Sequence, residues 1–326
     1  MQNKHKKSGN LIVVVLVSCL IFGFVLGAVV IHLVDRSKIK KLEESLELSR
    51  ENQKNIEVVD VYVPKRDVMY GKIPVNSYNP NNFKIQDGYM AYLDDEGNKI
   101  SHIGIDLSYH NAEVDWDELA ESGVEFVMLR CGYRGYTEGG LVTDEKFREY
   151  ASEANRVGIN LGVYFFTQAI DEQEAIDEAD YVIDLIRDYD ISYPVALDCE
   201  YVDDDSARTN VNEISDELRS KMAVLFCERL KEEGYYPMIY ASENWIRRYM
   251  DVEMLKEYDL WAPQYTEECD YMYDFTIWQY SERGYVPGVE GQVDMDISMV
   301  DYASFVPSMR KSVETDGKIV EFPPLE

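Results

Sequence analysis

This chain has no Cys-x-x-Cys pair, no zinc-type Cys/His spacing and no basic stripe; its five cysteines are scattered and histidine occurs only four times in 326 residues. The first two absences exclude a zinc module or a dithiol redox centre built on a recognisable motif. The third follows from 32 Lys+Arg against 62 Asp+Glu, a net charge of -30. Residues 1–55 hold 9 basic and 5 acidic side chains, so the remainder carries 23 against 57, a net -34. A surface of that sign cannot supply the counterion release on which phosphate binding depends, and nucleic acid is excluded as a partner. Cys199 stands between two acids, but strand alternation turns it from their face and no histidine is near in sequence, so it reads as a buried thiol beneath a helix.

What is present begins with an uncharged apolar run from Leu11 to Val34. At 1.5 Å per residue it reaches about 36 Å, enough to cross a bilayer with some tilt. A cleaved signal peptide has a shorter apolar core and a small-residue exit, so an uncleaved anchor is expected. Lys4, Lys6 and Lys7 precede the run while Arg36, Lys38, Lys40 and Lys41 follow it, so charge leaves the orientation open. The expected organisation is a tail at 1–10, the membrane helix at 11–34, an amphipathic stalk at 35–56 and a proline-bearing spacer at 57–100 that ends in a hairpin about Glu96-Gly97-Asn98. A large domain at 101–310 and a tail at 311–326 follow.

From residue 101 onward, strand and helix signals alternate at βα spacing, the pattern of an α/β domain with mainly parallel strands. Strands are expected at 101–107, 124–131, 160–167, 193–199, 236–240, 258–262, 274–279 and 291–297, with helices at 143–157, 171–188 and 213–233. Eight strands suggest a closed barrel, and the last three are joined by segments too short or irregular for regular helices. The expected fold is therefore α/β, an irregular TIM-like barrel of five βα units plus three further strands.

The most informative segment is Tyr193 to Glu200, YPVALDCE, an apolar strand ending at Asp198 and Glu200. Residues two apart on a strand share a face, with α-carbons about 6.6 Å apart. In a chain this acidic roughly a dozen acid-x-acid spacings arise by chance. The buried run Val195-Ala196-Leu197 separates this pair from the others, because it gives the acids a rigid base at a barrel mouth. Other strand ends contribute Asp106, Tyr164, Tyr240, Trp261, Gln279 and Asp294. Each has a plain reading as a cap or a core residue. Together, acids, aromatic rings and an amide converging on one barrel face suit a sugar, whose C–H faces stack on rings while carboxylates handle the glycosidic oxygen.

The chain resembles the glycoside hydrolase family 25 lysozymes, N-acetylmuramidases that act on peptidoglycan. The matching segments are GIDLSYH (Gly104 to His110), VDW (Val114 to Trp116), FVMLRCGYR (Phe126 to Arg134), GYTEGGLVTD (Gly135 to Asp144), GVYFFTQA (Gly162 to Ala169) and PVALDCE. They continue with YPMIYASENW (Tyr236 to Trp245), LWAPQY (Leu260 to Tyr265) and IWQYSERGYVPGVEGQVDMD (Ile277 to Asp296). One departure follows His110, where Asn111-Ala112 replace a glycine-bearing loop. The resemblance implies that Glu200 is the general acid and Asp198 the assisting carboxylate, that Asp106 and Asp294 are the other catalytic acids, and that Tyr164, Tyr240, Trp261, Gln279 and Asp296 contact the sugar. It implies no cofactor and no metal.

The expected reaction is cleavage of the β-1,4 bond between N-acetylmuramic acid and N-acetylglucosamine, with the charge of Asp198 raising the pKa of Glu200. Assistance by the substrate's acetamido group and direct water attack with inversion both remain open, as do a different cell-wall hexosaminidase and a non-catalytic wall-binding module. Peptidoglycan glycan strands are the expected partner, reached from a single-pass type II anchor in the cell membrane of a Gram-positive bacterium with the domain outside. The oligomeric state is left open.

Overall fold

The computed structural model describes residues 69–307, except 112, 212, 213 and 267. The expected tails, membrane helix and stalk lie outside the described residues, as do residues 57–68 of the expected spacer. No described helix is long and apolar enough to cross a membrane.

Two small hairpins come first, β1 (Met69–Tyr70) with β2 (Ile73–Pro74) and β3 (Phe83–Gln86) with β4 (Tyr89–Tyr92). The β3–β4 turn falls at Asp87-Gly88, both in the left-handed region, and sequence reading missed it. The expected turn about Gly97 is present as a tight loop, with Leu93 bridging Lys99. These residues are packed against the barrel: Val75 bridges Tyr273, and the Tyr78 hydroxyl donates to the Phe275 carbonyl at 3.0 Å.

The large domain then runs through β5 (His102–Leu107), α1 (Trp116–Glu121), β6 (Phe126–Arg134), β7 (Leu141–Thr143), α2 (Phe147–Val157), β8 (Asn160–Phe166), α3 (Glu172–Ile186) and β9 (Val195–Asp198). It continues with α4 (Arg208–Val211), α5 (Asp216–Glu232), β10 (Pro237–Tyr240), α6 (Glu243–Tyr249), α7 (Val252–Leu255), β11 (Asp259–Pro263), β12 (Ile277–Gly284) and β13 (Val293–Ser298). Local chemistry starts the helices: Asp115, Asp171 and Ser215 accept from the backbone N–H three residues on, satisfying donors that a first turn leaves open.

The sheet order is β5-β13-β12-β11-β10-β9-β8-β6-β7, and β5 also pairs with β6, so eight strands close a barrel and β7 extends one edge. Pairings are parallel from β5 round to β12. The closing strand β13 is antiparallel to both neighbours, with register shifts against β12. No helix separates β11, β12 and β13 among the described residues. This is the expected five βα units and three further strands.

Strand alternation sends one set of side chains beneath the helices and the other into the barrel. The lower interior is filled by Phe126, Met128, Tyr193, Ala196, Met238 and Ile277. Gly104 makes room for them: a Cβ there would lie 2.1 Å from Cζ of Phe126. Above this apolar floor the same strands end in polar residues.

Candidate active site

A cleft of about 480 Å³ opens at the C-terminal ends of the parallel strands. Asp198, Glu200, Asp106 and Asp294 line it together with Tyr164, Tyr240, Trp261 and Gln279. Lateral register explains the convergence: Asp198 pairs with Tyr240, Tyr240 with Trp261, and Asp294 with Asp106.

Regular pairing of β9 stops at Asp198, so Glu200 sits just beyond the strand. Both residues nevertheless face the cleft. They differ in surroundings: Asp198 is buried, whereas Glu200 is exposed at the rim. Oδ1 of Asp198 is buried without a hydrogen-bond partner among the described residues. Burial raises the Asp198 pKa well above the ordinary carboxylate range, the charge of Glu200 adds to this, and Arg130 opposes it. Glu200 is also raised, first by loss of water in the concave site and then by Asp294, against the neighbouring hydroxyl of Tyr240. The sequence reading assigned that rise to Asp198; desolvation is the larger cause. Both groups retain a proton more readily than an isolated carboxylate does. Asp294 is pushed up to about 6 by burial and by Glu282.

The aromatic wall is built edge to face, with the Tyr240 and Tyr164 ring centroids 4.7 and 5.7 Å from that of Trp261. Gln279 ties the wall to the acids: its Oε1 accepts from the hydroxyls of Tyr240 at 2.9 Å and Tyr265 at 2.7 Å, and its Nε2 donates to Oδ2 of Asp106 at 2.6 Å. A rigid ring face beside carboxylates that hold protons can bind a sugar and protonate a leaving oxygen. Among the described residues no group of three or more His, Cys, Asp or Glu side chains could hold a metal ion.

Residues 105–289 match the family described as glycosyl hydrolases family 25. The chain belongs to that family. It is 26% identical over 194 residues to the autolytic lysozyme of Clostridium acetobutylicum, an alignment covering 59% of this chain and 54% of the relative. The chain thus spans about half the length of that lysozyme. Among solved structures it is similar to the modular autolysin LytC of Streptococcus pneumoniae in complex with a synthetic peptidoglycan ligand, at 25% identity and TM-score 0.54, covering 66% of this chain and 52% of that one. It is also similar to the spore cortex lytic enzyme SleM of Clostridium perfringens, at 26% identity and TM-score 0.54, covering 62% and 68%.

Within this family 25 barrel, one expected sugar contact is corrected. Asp296 is fully buried and does not line the cleft. It shares a strand face with Asp294, but its register partner is Gly104, one layer below Asp106, and its Oδ1 accepts from Nε1 of Trp261 at 2.8 Å. Conversely, sequence reasoning passed over Arg130, His110 and Tyr265, which line the cleft. Arg130 donates from Nε to Oδ2 of Asp144 at 2.8 Å, and its guanidinium lies 4.8 Å from the Tyr109 ring centroid. An arginine at the inward-facing parity of an apolar strand was the available signal. Cys199 is buried beside Met222 and Ala223 of α5, as expected for a thiol under a helix.

Proposed function

We propose that this chain is a peptidoglycan hydrolase that cleaves the β-1,4 bond between N-acetylmuramic acid and N-acetylglucosamine. The observation that carries the reading is the opening of Asp198 and Glu200 on one cleft with Asp106, Asp294 and an aromatic wall. In this mechanism Glu200, the accessible member of the pair, gives its proton to the leaving glycosidic oxygen. Asp198 stays behind it and steers the acetamido group of the substrate toward the anomeric carbon, stabilising the positive charge that develops there. Tyr164, Tyr240 and Trp261 hold the sugar by its apolar faces, and Gln279 fixes Asp106 and Tyr240 relative to one another. The autolysin LytC supports the choice of substrate, since its structure was solved with a synthetic peptidoglycan ligand.

The test is digestion of purified peptidoglycan by the full chain, with mass spectrometry of the new reducing ends. Muramic acid ends are expected. Glucosamine ends would move the cut to the other bond, and binding without new ends would leave a wall-binding module. NMR of the first-formed anomer separates acetamido assistance, which retains configuration, from water attack, which inverts it.

A wall substrate also requires the barrel outside the cell, so the proposal extends to a type II anchor at 11–34 with 1–10 inside. Protease treatment of intact cells is expected to release the barrel; complete protection would reverse the orientation.

A further inference from the structure

Asp106, on the cleft wall, and Asp296, one layer below it, are two carboxyl groups in hydrogen-bonding reach of each other. Asp296 is fully buried and Asp106 is 6% exposed. No arginine or lysine among the described residues pairs with either, in contrast to Asp144 on Arg130 and Glu178 on Arg134. Two N–H donors reach the pair: Gln279 Nε2 to Asp106 Oδ2 at 2.6 Å and Trp261 Nε1 to Asp296 Oδ1 at 2.8 Å. Oδ2 of Asp296 is buried without a partner of its own. Two adjacent buried carboxylates with no cation would carry both desolvation and mutual repulsion, so one must be neutral. A proton on Asp106 aimed at Asp296 gives the orphaned oxygen a donor and removes one charge.

We propose that Asp296 is a positioning residue: it holds a proton shared with Asp106, so that the pair carries a single negative charge drawn down towards Trp261 and away from the cleft mouth. Asp106 is then a fixed neutral group in the resting site and cannot serve as a base toward substrate. The remaining charge sits behind the sugar, where it favours the cation of the transition state without competing for the proton of Glu200. The functional part of this inference rests on the proposed hydrolase reading; the proton count does not. The titratable groups facing the pair are Asp294 at the mouth, Tyr164 of β8, Tyr240 of β10, Tyr265 after β11 and Tyr280 of β12. Burial is the first cause that raises both acids, and Asp294 raises both as well.

The experiment is carbon-13 NMR of the full chain labelled at the aspartate carboxyl carbons, titrated from about pH 4 to about pH 8. One carboxyl of the pair is expected to stay protonated well above the pH at which an isolated aspartate ionises. In Asp296→Asn that signal should disappear, because the amide donates to Asp106 and stabilises its ionised form. Asp106→Asn should do the same by donating to Asp296, and it keeps the test alive if the first variant fails to fold. If both carboxyls ionise at ordinary values in the unsubstituted chain, or if the late-titrating signal survives in both variants, the shared proton is overturned. In peptidoglycan assays, Asp296→Asn puts the charge on Asp106, nearer Asp294 and the mouth. Acids there then hold protons more tightly, and the basic limb of kcat/KM against pH should move up by about half a unit or more. A uniform loss of rate with an unmoved limb would mean a merely structural role and overturn the positioning claim. A chain that cleaves no peptidoglycan would fail the hydrolase reading while the NMR count still decides the proton.

Discussion

Behind the barrel wall, fully buried Glu178 takes Nε of Arg134 at 2.7 Å and the Thr167 hydroxyl at 2.6 Å; inside the barrel, Asp106 and Asp198 on the cleft and Asp296 a layer below are about as deeply buried and form no ion pair among the described residues. The first arrangement is structural. Arg134 also donates to the carbonyls of Gly139 and Glu174, so one guanidinium joins the β6–β7 turn to α3. Even with that cation, burial pushes Glu178 up to about 7. The acids inside the barrel have no such partner and rise well above their ordinary value. A buried carboxylate can be neutralised by a cation or by a proton. Behind the wall a cation shares in the neutralisation; inside the barrel, where no cation pairs with these acids among the described residues, burial favours the protonated form.

The sharpest way to break the contrast is at Glu200. Glu200→Gln keeps shape and removes the transferable proton, so turnover on peptidoglycan is expected to fall by about 10³-fold. Circular dichroism and Tm should be unchanged; activity within a few fold of the parent would remove Glu200 from the role of acid. On the structural side, Glu178→Ala removes the nearer carboxylate of buried Arg134 and leaves only Glu174 Oε1 at 3.9 Å, with an expected loss of about 3 kcal/mol. Denaturant unfolding measures this, and the rate per folded molecule should change far less than in Glu200→Gln.

The next effect is a pH slope. With its folded pKa raised to about 6, Asp294 binds a proton more tightly in the native barrel than in the unfolded chain. Its stabilising contribution is complete below about pH 4 and is lost as pH rises towards about 6. Tm should fall across that window, and Asp294→Asn should flatten the fall; an unaltered slope would assign it to other acids. The smallest expected effect is at Tyr265, one of two hydroxyls that donate to Gln279 Oε1. With Tyr240 still donating, Tyr265→Phe should cost about 1 kcal/mol or less. A rise in KM of up to about fivefold would register it.

Much of the barrel was legible because each cue is local. Apolar runs of strand length ended at Asp106, Asp198 and Tyr240, and caps at Asp171 and Ser215 opened helices within the expected spans. The β3–β4 hairpin was missed because its turn uses Asp87 in the left-handed region rather than the Glu96-Gly97-Asn98 signal further on. Tyr265 was passed over because it lies in an irregular segment after β11, where no periodicity says which way a side chain turns.

The amino-acid sequence determined which side chains point into the barrel, since alternation along a strand depends only on the parity of neighbouring positions. The tertiary structure alone decided how deep each one lies. Asp294 and Asp296 share a face, yet pairing of β13 against β5 sets one opposite Asp106 at the mouth and the other opposite Gly104 on the floor. Depth fixes how much water each carboxyl group keeps, and that determines whether it stands as an anion or holds a proton.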